Sequence, residues 1–325
     1  MSPDPAAATA SDAAAVEPKP GVPGQVRRIP PESPLADILD GDARREIRVH
    51  DHGFIALVDV MPRLVPAGQT ADAAIVQAAR VSYGAGTKKV SEDAALIRYL
   101  LRHRHTTPFE MVELKFHMAM PMFVARQWIR HRTANVNEYS ARYSVVPDRF
   151  YRPAPDQVRK QSTSNRQGGE DAFDRADPAQ AATADGYLAY LDAVEAQYKT
   201  YESLLEQGVS RELARAGLPV SAYTEWYWKC DLHNTLRFLS LRLDAHAQQE
   251  IRVYAQAMHD LMLEICPVTM QAWRDYEFEA MHLTRLEIEA IRRVAADPTA
   301  DNLPLDTPNK REQAEWDAKR ARLGL

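Results

Sequence analysis

Apolar residues in the first third of the chain recur with two different periods. Phe54–Val60 is almost continuously apolar and ends before Pro62, which predicts a strand. Between Val112 and Met120 every second residue is apolar, a spacing typical of a half-buried strand. Thr70–Val81 has the spacing of a helix instead, with Thr70 as its cap.

Two further helices are predicted in this part of the chain. Ser91 can cap a helix whose apolar stripe consists of Leu96, Ile97, Leu100 and Leu101. Pro121 suits the start of another helix, which would place Arg126 and Arg130 one turn apart on the same face.

The second half of the chain has mainly helical periodicity. Helices are predicted at Tyr187–Gln207, Tyr223–Cys230, His233–Leu243, Gln248–Cys266 and Thr269–Tyr276. From Met281 to Leu325 acidic and basic residues alternate, and two more helices are expected, one around Leu283–Val294 and one at Lys310–Leu323. Early strands and late helices predict an α+β fold. Because no Gly-x-Gly-x-x-Gly follows a strand, we expect no Rossmann fold.

Composition limits the classes of function. The 325 residues carry a net charge of −5, which argues against a general nucleic-acid or anionic-membrane surface. Cys230 and Cys266 are the two cysteines; both lie in apolar surroundings and are expected in the core. This usage, and the absence of an apolar run of about 18 residues, favour a cytoplasmic protein. No His, Cys or carboxylate cluster has metal-ligand spacing, so no metal is expected.

The segment from Arg126 to Arg152 is the most informative part of the chain. It contains six arginines, no lysine and two acids, which gives a local charge of +4. Guanidinium groups match phosphate oxygens in a fixed fork, so the segment suggests a pocket for a phosphorylated small molecule. A solvated helix face is the simpler alternative. Interleaved Trp128, Ile129, Val136 and Tyr139 argue against it, because they could not be buried while every charge stayed in water.

The segment belongs to a series of four motifs along the chain. Arg130-His131-Arg132 is followed after seven residues by Ser140. The other three motifs are His105-Thr106-Thr107-Pro108-Phe109-Glu110, Arg211-Glu212-Leu213-Ala214-Arg215, and Leu241-Arg242-Leu243-Asp244-Ala245-His246-Ala247-Gln248. Together and in this order they resemble the flavin-dependent thymidylate synthases, the ThyX family, whose fingerprint is the first of them. The resemblance covers roughly residues 50–280. It implies a ThyX-like fold in which a mixed or antiparallel sheet packs with helices, assembled as a homotetramer with shared active sites.

The resemblance also implies a reaction. Such an enzyme converts dUMP to dTMP, with methylenetetrahydrofolate as carbon donor and NADPH or NADH as reductant acting through FAD. No cysteine nucleophile on the uracil is needed, in agreement with the surroundings of both cysteines. The cofactor would carry the redox chemistry while the protein positions the substrates.

Individual residues receive roles by the same resemblance. Arg242 would be catalytic and favour the N3-ionised form of the uracil. The dUMP site would comprise Gln127, Trp128, Ile129, Arg130, Glu138, Tyr139, Ser140, Ala141, Arg142, Arg242 and, from a neighbouring subunit, Arg215. The FAD site would comprise Thr107, Arg130, His131, Arg132, Glu138, Asp231, Leu232, His233 and Arg237. His105 and His246 could position flavin or folate, or could be structural histidines, His246 at a helix start.

The chain is thereby divided into three predicted regions. Residues 1–34 form a disordered Ala/Pro-rich tail, residues 35–280 a catalytic domain with a mobile insertion at 156–182, and residues 281–325 a charged helical extension. Two other functions remain open. One is a non-catalytic module that binds RNA or nucleotides through the Arg/Trp/Tyr segment. The other is a flavoprotein of this fold that has lost methylation, which the intact Arg130–Ser140 and Arg242 motifs oppose.

Overall fold

The computed structural model describes residues 26–29, 44–62, 69–81, 93–163, 168–296 and 304–325. The chain divides into two compact units. The first consists of residues 1–63 and 113–261, and the second of residues 64–112 and 262–325. Of the predicted tail at 1–34, only residues 26–29 are among the described residues. The predicted cap Ser91 lies outside the described residues.

A six-stranded antiparallel sheet forms the centre of the first unit. Its strands, in spatial order, are β1 (Val26–Ile29), β2 (Arg44–Val49), β3 (Gly53–Met61), β4 (Glu113–Pro121), β8 (Tyr223–Asp231) and β5 (Asn135–Glu138). A separate antiparallel pair consists of β6 (Arg159–Gln161) and β7 (Gly169–Ala172). The region predicted as an insertion, 156–182, contains this pair.

Both units contain helices. Those of the first unit are α4 (Met122–Trp128), α5 (Pro178–Glu195), α6 (Tyr198–Glu206), α7 (Arg211–Ala214) and α8 (Leu232–Arg242). α9 (Gln249–Ile265) begins in the first unit and ends in the second. Those of the second unit are α1 (Asp72–Val81), α2 (Asp93–Arg102), α3 (Thr107–Glu110), α10 (Pro267–Trp273), α11 (Arg285–Ala296) and α12 (Lys310–Leu323). The described residues thus form an α+β structure with an antiparallel sheet, as the sequence predicts.

One face of the sheet is buried because apolar residues alternate along its central strands. Leu114, Phe116 and Met118 on β4 have no exposed surface, and they pair across the strands with Cys230, Trp228 and Trp226 on β8. At the turn between β2 and β3 only glycine fits at position 53. A Cβ there would lie 2.6 Å from the carbonyl oxygen of Val49.

The helix predicted at Tyr223–Cys230 is wrong, because these residues form most of β8. The aromatic and β-branched residues of this run favour a strand, and Trp226, Trp228 and Cys230 alternate in burial with less buried neighbours. The helix predicted at Tyr187–Gln207 is divided, since α5 ends at Glu195 and α6 begins at Tyr198. By contrast, the helices predicted at His233–Leu243, Gln248–Cys266 and Lys310–Leu323 are confirmed within one or two residues.

The second unit is held together by buried polar contacts as well as by apolar packing. Asp72, at the start of α1, accepts hydrogen bonds from the main-chain N–H groups of Val268 (2.9 Å) and Thr269 (3.1 Å) and from the Thr269 hydroxyl. Near the C-terminus, Trp316 of α12 is fully buried, and Lys319 contacts the buried carboxylate of Glu287 at 2.8 Å. Across the described ranges, no helix combines the length and apolarity needed to cross a membrane.

Candidate active site

The arginine-rich segment begins at α4, which anchors it to the sheet. Pro121 precedes the helix with an extended main chain, and the side chains of Val124, Ala125 and Trp128 are buried. α4 ends at Trp128, so Arg130 lies in the turn after the helix and not on the helical face predicted for it with Arg126. Both arginines are exposed.

A buried aromatic stack connects α4 with α8. Trp128 and Phe238 stack with ring centroids 4.2 Å apart at an angle of 29°, and both side chains are fully buried. The imidazole of His131 packs edge-on against Phe238 at 4.9 Å. His131 is therefore fixed on the end of a rigid aromatic core.

The predicted catalytic arginine contacts this histidine directly. Arg242, the last residue of α8, donates from Nε to Nε2 of His131 at 3.0 Å. Phe238 and Arg242 are four residues apart in one helix, so they lie on the same face. The contact joins the Arg-His-Arg motif to the motif at residues 241–248, which are far apart in sequence.

The electrostatics keep His131 neutral. Burial and the positive charges of Arg242 and Arg237 lower the pKa of His131 from 6.5 to about 4. A neutral imidazole can accept a hydrogen bond at Nε2 only if its proton is on Nδ1. Burial also lowers the pKa of Arg242, but a guanidinium stays cationic at neutral pH.

The second part of the site is the turn after β5. Glu138 accepts a hydrogen bond from the Thr224 hydroxyl at 2.6 Å, and the N–H of Tyr139 donates to the carbonyl of Glu225 at 2.8 Å. The carbonyl of Ser140 accepts from the N–H groups of Tyr143 and Ser144. The N–H of Arg142 faces the Ser140 hydroxyl at 3.4 Å. These contacts fix the turn against β8 while the Arg142 side chain is exposed.

A cleft of about 460 Å³ lies beside this turn. Four predicted residues contribute to its wall, namely Glu138, Tyr139, Ala141 and Arg215. Arg215, which the sequence assigns to a site completed from a neighbouring subunit, therefore shares a cleft with the turn residues of its own chain. The third family motif, which ends at Arg215, thus lies beside the fingerprint segment.

Some residues of the predicted FAD segment at the start of α8 stabilise the fold itself. The carboxylate of Asp231 caps the helix by accepting from the main-chain N–H and the side-chain amide of Asn234, both at 2.8 Å. Leu232 is fully buried, His233 is half-buried and Arg237 is exposed. Among the side chains of this segment, His233 and Arg237 are therefore the ones presented to a ligand.

Three predicted residues, Thr107, His105 and His246, belong neither to the contacts around His131 nor to the turn after β5. Thr107 begins α3 and His105 precedes it, both exposed in the second unit, where the His105 ring lies 6.1 Å from that of Tyr99. His246 is exposed and contacts Asp244 at 2.8 Å. Because α8 ends at Arg242, His246 does not share a helical face with that arginine; nor does it start a helix, since α9 begins at Gln249.

The residues next to Arg130 differ in exposure. Trp128 lies wholly in the core, so it could contact a nucleotide only through its main chain, whereas Ile129 is 49% exposed. Oε1 of Gln127 is buried, and no donor within the described residues reaches it. A buried acceptor of this kind is suited to a ligand that carries an N–H group.

Two residues of the site escape the sequence interpretation. Phe238 supports His131, and the signal that could identify it is its position one turn before Arg242 on an apolar helix. Thr224 holds Glu138 by a contact between β8 and β5 that no sequence spacing indicates.

Two larger cavities in the first unit hold fewer predicted residues. One, of about 760 Å³, is lined by the end of β2, residues 151–157 and α9, and no predicted site residue lines it. The other, of about 720 Å³, is lined by one predicted residue, His246. Within the part of the chain that the structure describes, no three His, Cys, Asp or Glu residues form a group that could hold a metal ion.

Known proteins resemble this chain over most of its length. Residues 63–268 match the family model described as thymidylate synthase complementing protein. A flavin-dependent thymidylate synthase of Dictyostelium discoideum is 61% identical over 298 residues, which is 92% of this chain and 94% of that protein. One from Wolbachia pipientis wMel is 50% identical over 260 residues, or 79% and 86% of the two chains. A crystal structure of the UMP/dUMP methylase PolB from Streptomyces cacaoi bound with 5-Br UMP has a TM-score of 0.57, at 30% identity, over 70% of this chain and 96% of that one.

Proposed function

Because this chain belongs to the thymidylate synthase complementing protein family, that of the flavin-dependent thymidylate synthases, we propose that it methylates dUMP reductively to dTMP. The family predicted from the four motifs is thereby confirmed. One observation of the structure carries the proposal most directly. The contact between Arg242 and His131 unites two of those motifs at one point, as a shared site requires.

Arg242 would face the uracil in this reaction. Its guanidinium is cationic at neutral pH and partly buried, so it can stabilise a negative charge on the ionised N3 without changing its own protonation. The buried Oε1 of Gln127, four residues before His131 in sequence, is an acceptor suited to an N–H group of the base.

The nucleotide phosphate would bind at the turn after β5. Arg142 is exposed there, and Arg215 lines the adjacent cleft of about 460 Å³ with Glu138 and Tyr139. Two guanidinium groups near one cleft suit a phosphate dianion. Because the N–H groups of Tyr143 and Ser144 already donate to Ser140, the phosphate would depend mainly on the side chains of the two arginines and of Ser140.

The residues present fit an anionic flavin cofactor, which we propose to be FAD. Arg130, Arg132 and Arg237 are exposed, so their guanidinium groups are accessible to phosphate oxygens. Together with His131, Glu138 and His233 they would hold the cofactor, with Asp231 and Leu232 contributing through the main chain; Thr107 is assigned to the cofactor by the family resemblance alone. The bound flavin would supply reducing equivalents, drawn from NADPH or NADH, for a carbon unit donated by methylenetetrahydrofolate.

The cysteines support a reaction that uses no protein thiolate. Both are buried, and burial raises the pKa of Cys230 to about 12 and that of Cys266 well above its usual range. A thiolate nucleophile needs a lowered pKa and access to substrate. Neither side chain meets these requirements.

We also propose that the active protein is a homotetramer whose subunits share active sites. Ile129, Tyr143 and Val145 of the arginine-rich segment are 49%, 74% and 43% exposed in the single chain. Apolar side chains that border a charged site are suited to burial against another copy.

The test starts with the visible spectrum of the purified protein and with tritium release from C5-labelled dUMP. We expect absorbance at about 450 nm that NADPH bleaches, and release that requires folate. Arg242→Ala should abolish dTMP formation while flavin remains bound. Arg285→Ala, which removes an exposed arginine from a surface pair with Glu289, is the control and should remain active.

A colourless protein that releases no tritium with any reductant or folate would refute the proposed activity. Full activity of Arg242→Ala would refute the role assigned to that residue and leave the activity itself intact.

A further inference from the structure

We propose that His131 is a positioning residue for Arg242, because its neutral imidazole accepts a hydrogen bond from Nε and so orients the guanidinium toward the uracil. This inference rests on the proposed function, which places Arg242 at the base. With Nε engaged at 3.0 Å, the terminal amino groups of Arg242 remain as donors toward the substrate.

The geometry makes His131 a rigid support. Its ring packs edge-on against Phe238 at 4.9 Å, and Phe238 is stacked on Trp128 at 4.2 Å. Both aromatic side chains are fully buried, and Trp128 also contacts Trp228 of β8 at 6.0 Å. A hydrogen bond from Arg242 to this ring therefore links a long flexible side chain to the sheet.

A histidine suits this position because its ring can be neutral and accept a hydrogen bond beside two cations. The groups that face the ring from α8 are the guanidinium groups of Arg242 and Arg237, and a third cation here would be repelled. Protonated His131 would also lose the acceptor at Nε2. Its pKa, lowered to about 4, keeps the imidazole in the accepting form at neutral pH.

The experiment is a double-mutant cycle read by dUMP binding and by turnover in the flavin-loaded protein. His131→Leu removes the acceptor, and His131→Gln keeps an acceptor oxygen. His282→Leu, at an exposed histidine of the C-terminal segment, is the matched control. Urea unfolding of each variant verifies that it folds; should the leucine variant fail, the glutamine variant and His131→Asn replace it.

We expect His131→Leu to weaken dUMP binding and kcat/KM roughly 10- to 100-fold, the effect of losing one hydrogen bond to a charged group. His131→Gln should recover part of this loss, and His282→Leu should match the unaltered protein. In an Arg242→Ala background, His131→Leu should have almost no further effect on dUMP binding, because the residue acts through Arg242.

Equal losses of dUMP affinity in both backgrounds would overturn the positioning role, since a merely structural or flavin-binding histidine would act independently of Arg242. Unaltered affinity in His131→Leu would overturn it as well. Failure of the unaltered protein to bind dUMP or to form dTMP would instead overturn the proposed function, and this inference with it.

Discussion

The aromatic support under His131 provides a quantitative prediction through the substitution Phe238→Ala. Phe238 is fully buried and contacts three rings, those of Trp128 at 4.2 Å, His131 at 4.9 Å and Trp228 at 5.9 Å. Replacement of a fully buried phenylalanine by alanine typically costs about 3–5 kcal/mol. Because the lost stacking contact is itself worth about 1 kcal/mol, we expect a value of about 4 kcal/mol or more.

The chain contains a matched control. Phe278 also stacks on a tryptophan, Trp273, at 4.9 Å and 16°, but it is 37% exposed and lies in the second unit. Phe278→Ala should therefore cost about 1 kcal/mol, mainly the stacking energy.

The assay is urea unfolding followed by tryptophan fluorescence, with dUMP affinity measured on the folded variants. We expect Phe238→Ala to lower both the free energy of unfolding and the affinity, since His131 and Arg242 lose their support. Phe278→Ala should leave the affinity unchanged. Equal destabilisation by the two substitutions, or a folded Phe238→Ala protein with normal dUMP affinity, would refute the reasoning.

Three further predictions concern charged groups. Asp72→Ala should lower the free energy of unfolding by about 3 kcal/mol, because it leaves the buried donors of Thr269 without an acceptor. Asp72→Asn keeps an acceptor oxygen and should lower it less. Thermal unfolding measures both, and equal losses of stability in the two variants would contradict the prediction. Lys319→Met should destabilise the C-terminal helices by about 3–5 kcal/mol, because it leaves the buried Glu287 carboxylate without its ion-pair partner. Resistance to a protease measures this loss, and the double variant Lys319→Met/Glu287→Gln should be more resistant than Lys319→Met. The pKa of His131 is below its usual 6.5, so the unfolded chain binds more protons between pH 6.5 and about 4, and stability should fall as the pH decreases through that window. With allowance for partial exposure, the loss should be about 2 kcal/mol in urea titrations, and His131→Gln should lack it.

Local patterns account for the elements that the sequence predicts correctly. The alternation at 112–120 and the helical spacing at 233–243 depend on residues within a few positions, and β4 and α8 lie there. The run at 223–230 carries apolar residues at positions compatible with either period, and its pairing with β4, more than 100 residues away, decides for a strand.

The candidate site could be predicted as a set of residues but not as an arrangement. The resemblance gives Arg242 and His131 separate roles, and only the fold brings their side chains to 3.0 Å across 111 residues of sequence. Likewise, no spacing indicates that Arg215 shares a cleft with Glu138 of the same chain. The burial of Cys230 and Cys266 is predictable, because both lie in apolar stretches of the sequence.

The most direct test of the account is dTMP formation by the variant Cys230→Ala/Cys266→Ala, loaded with flavin and supplied with dUMP, methylenetetrahydrofolate and NADPH. If guanidinium groups and a flavin perform the chemistry, this thiol-free protein should turn over at a rate similar to that of the unaltered protein. A folded, flavin-loaded variant that forms no dTMP would contradict the account.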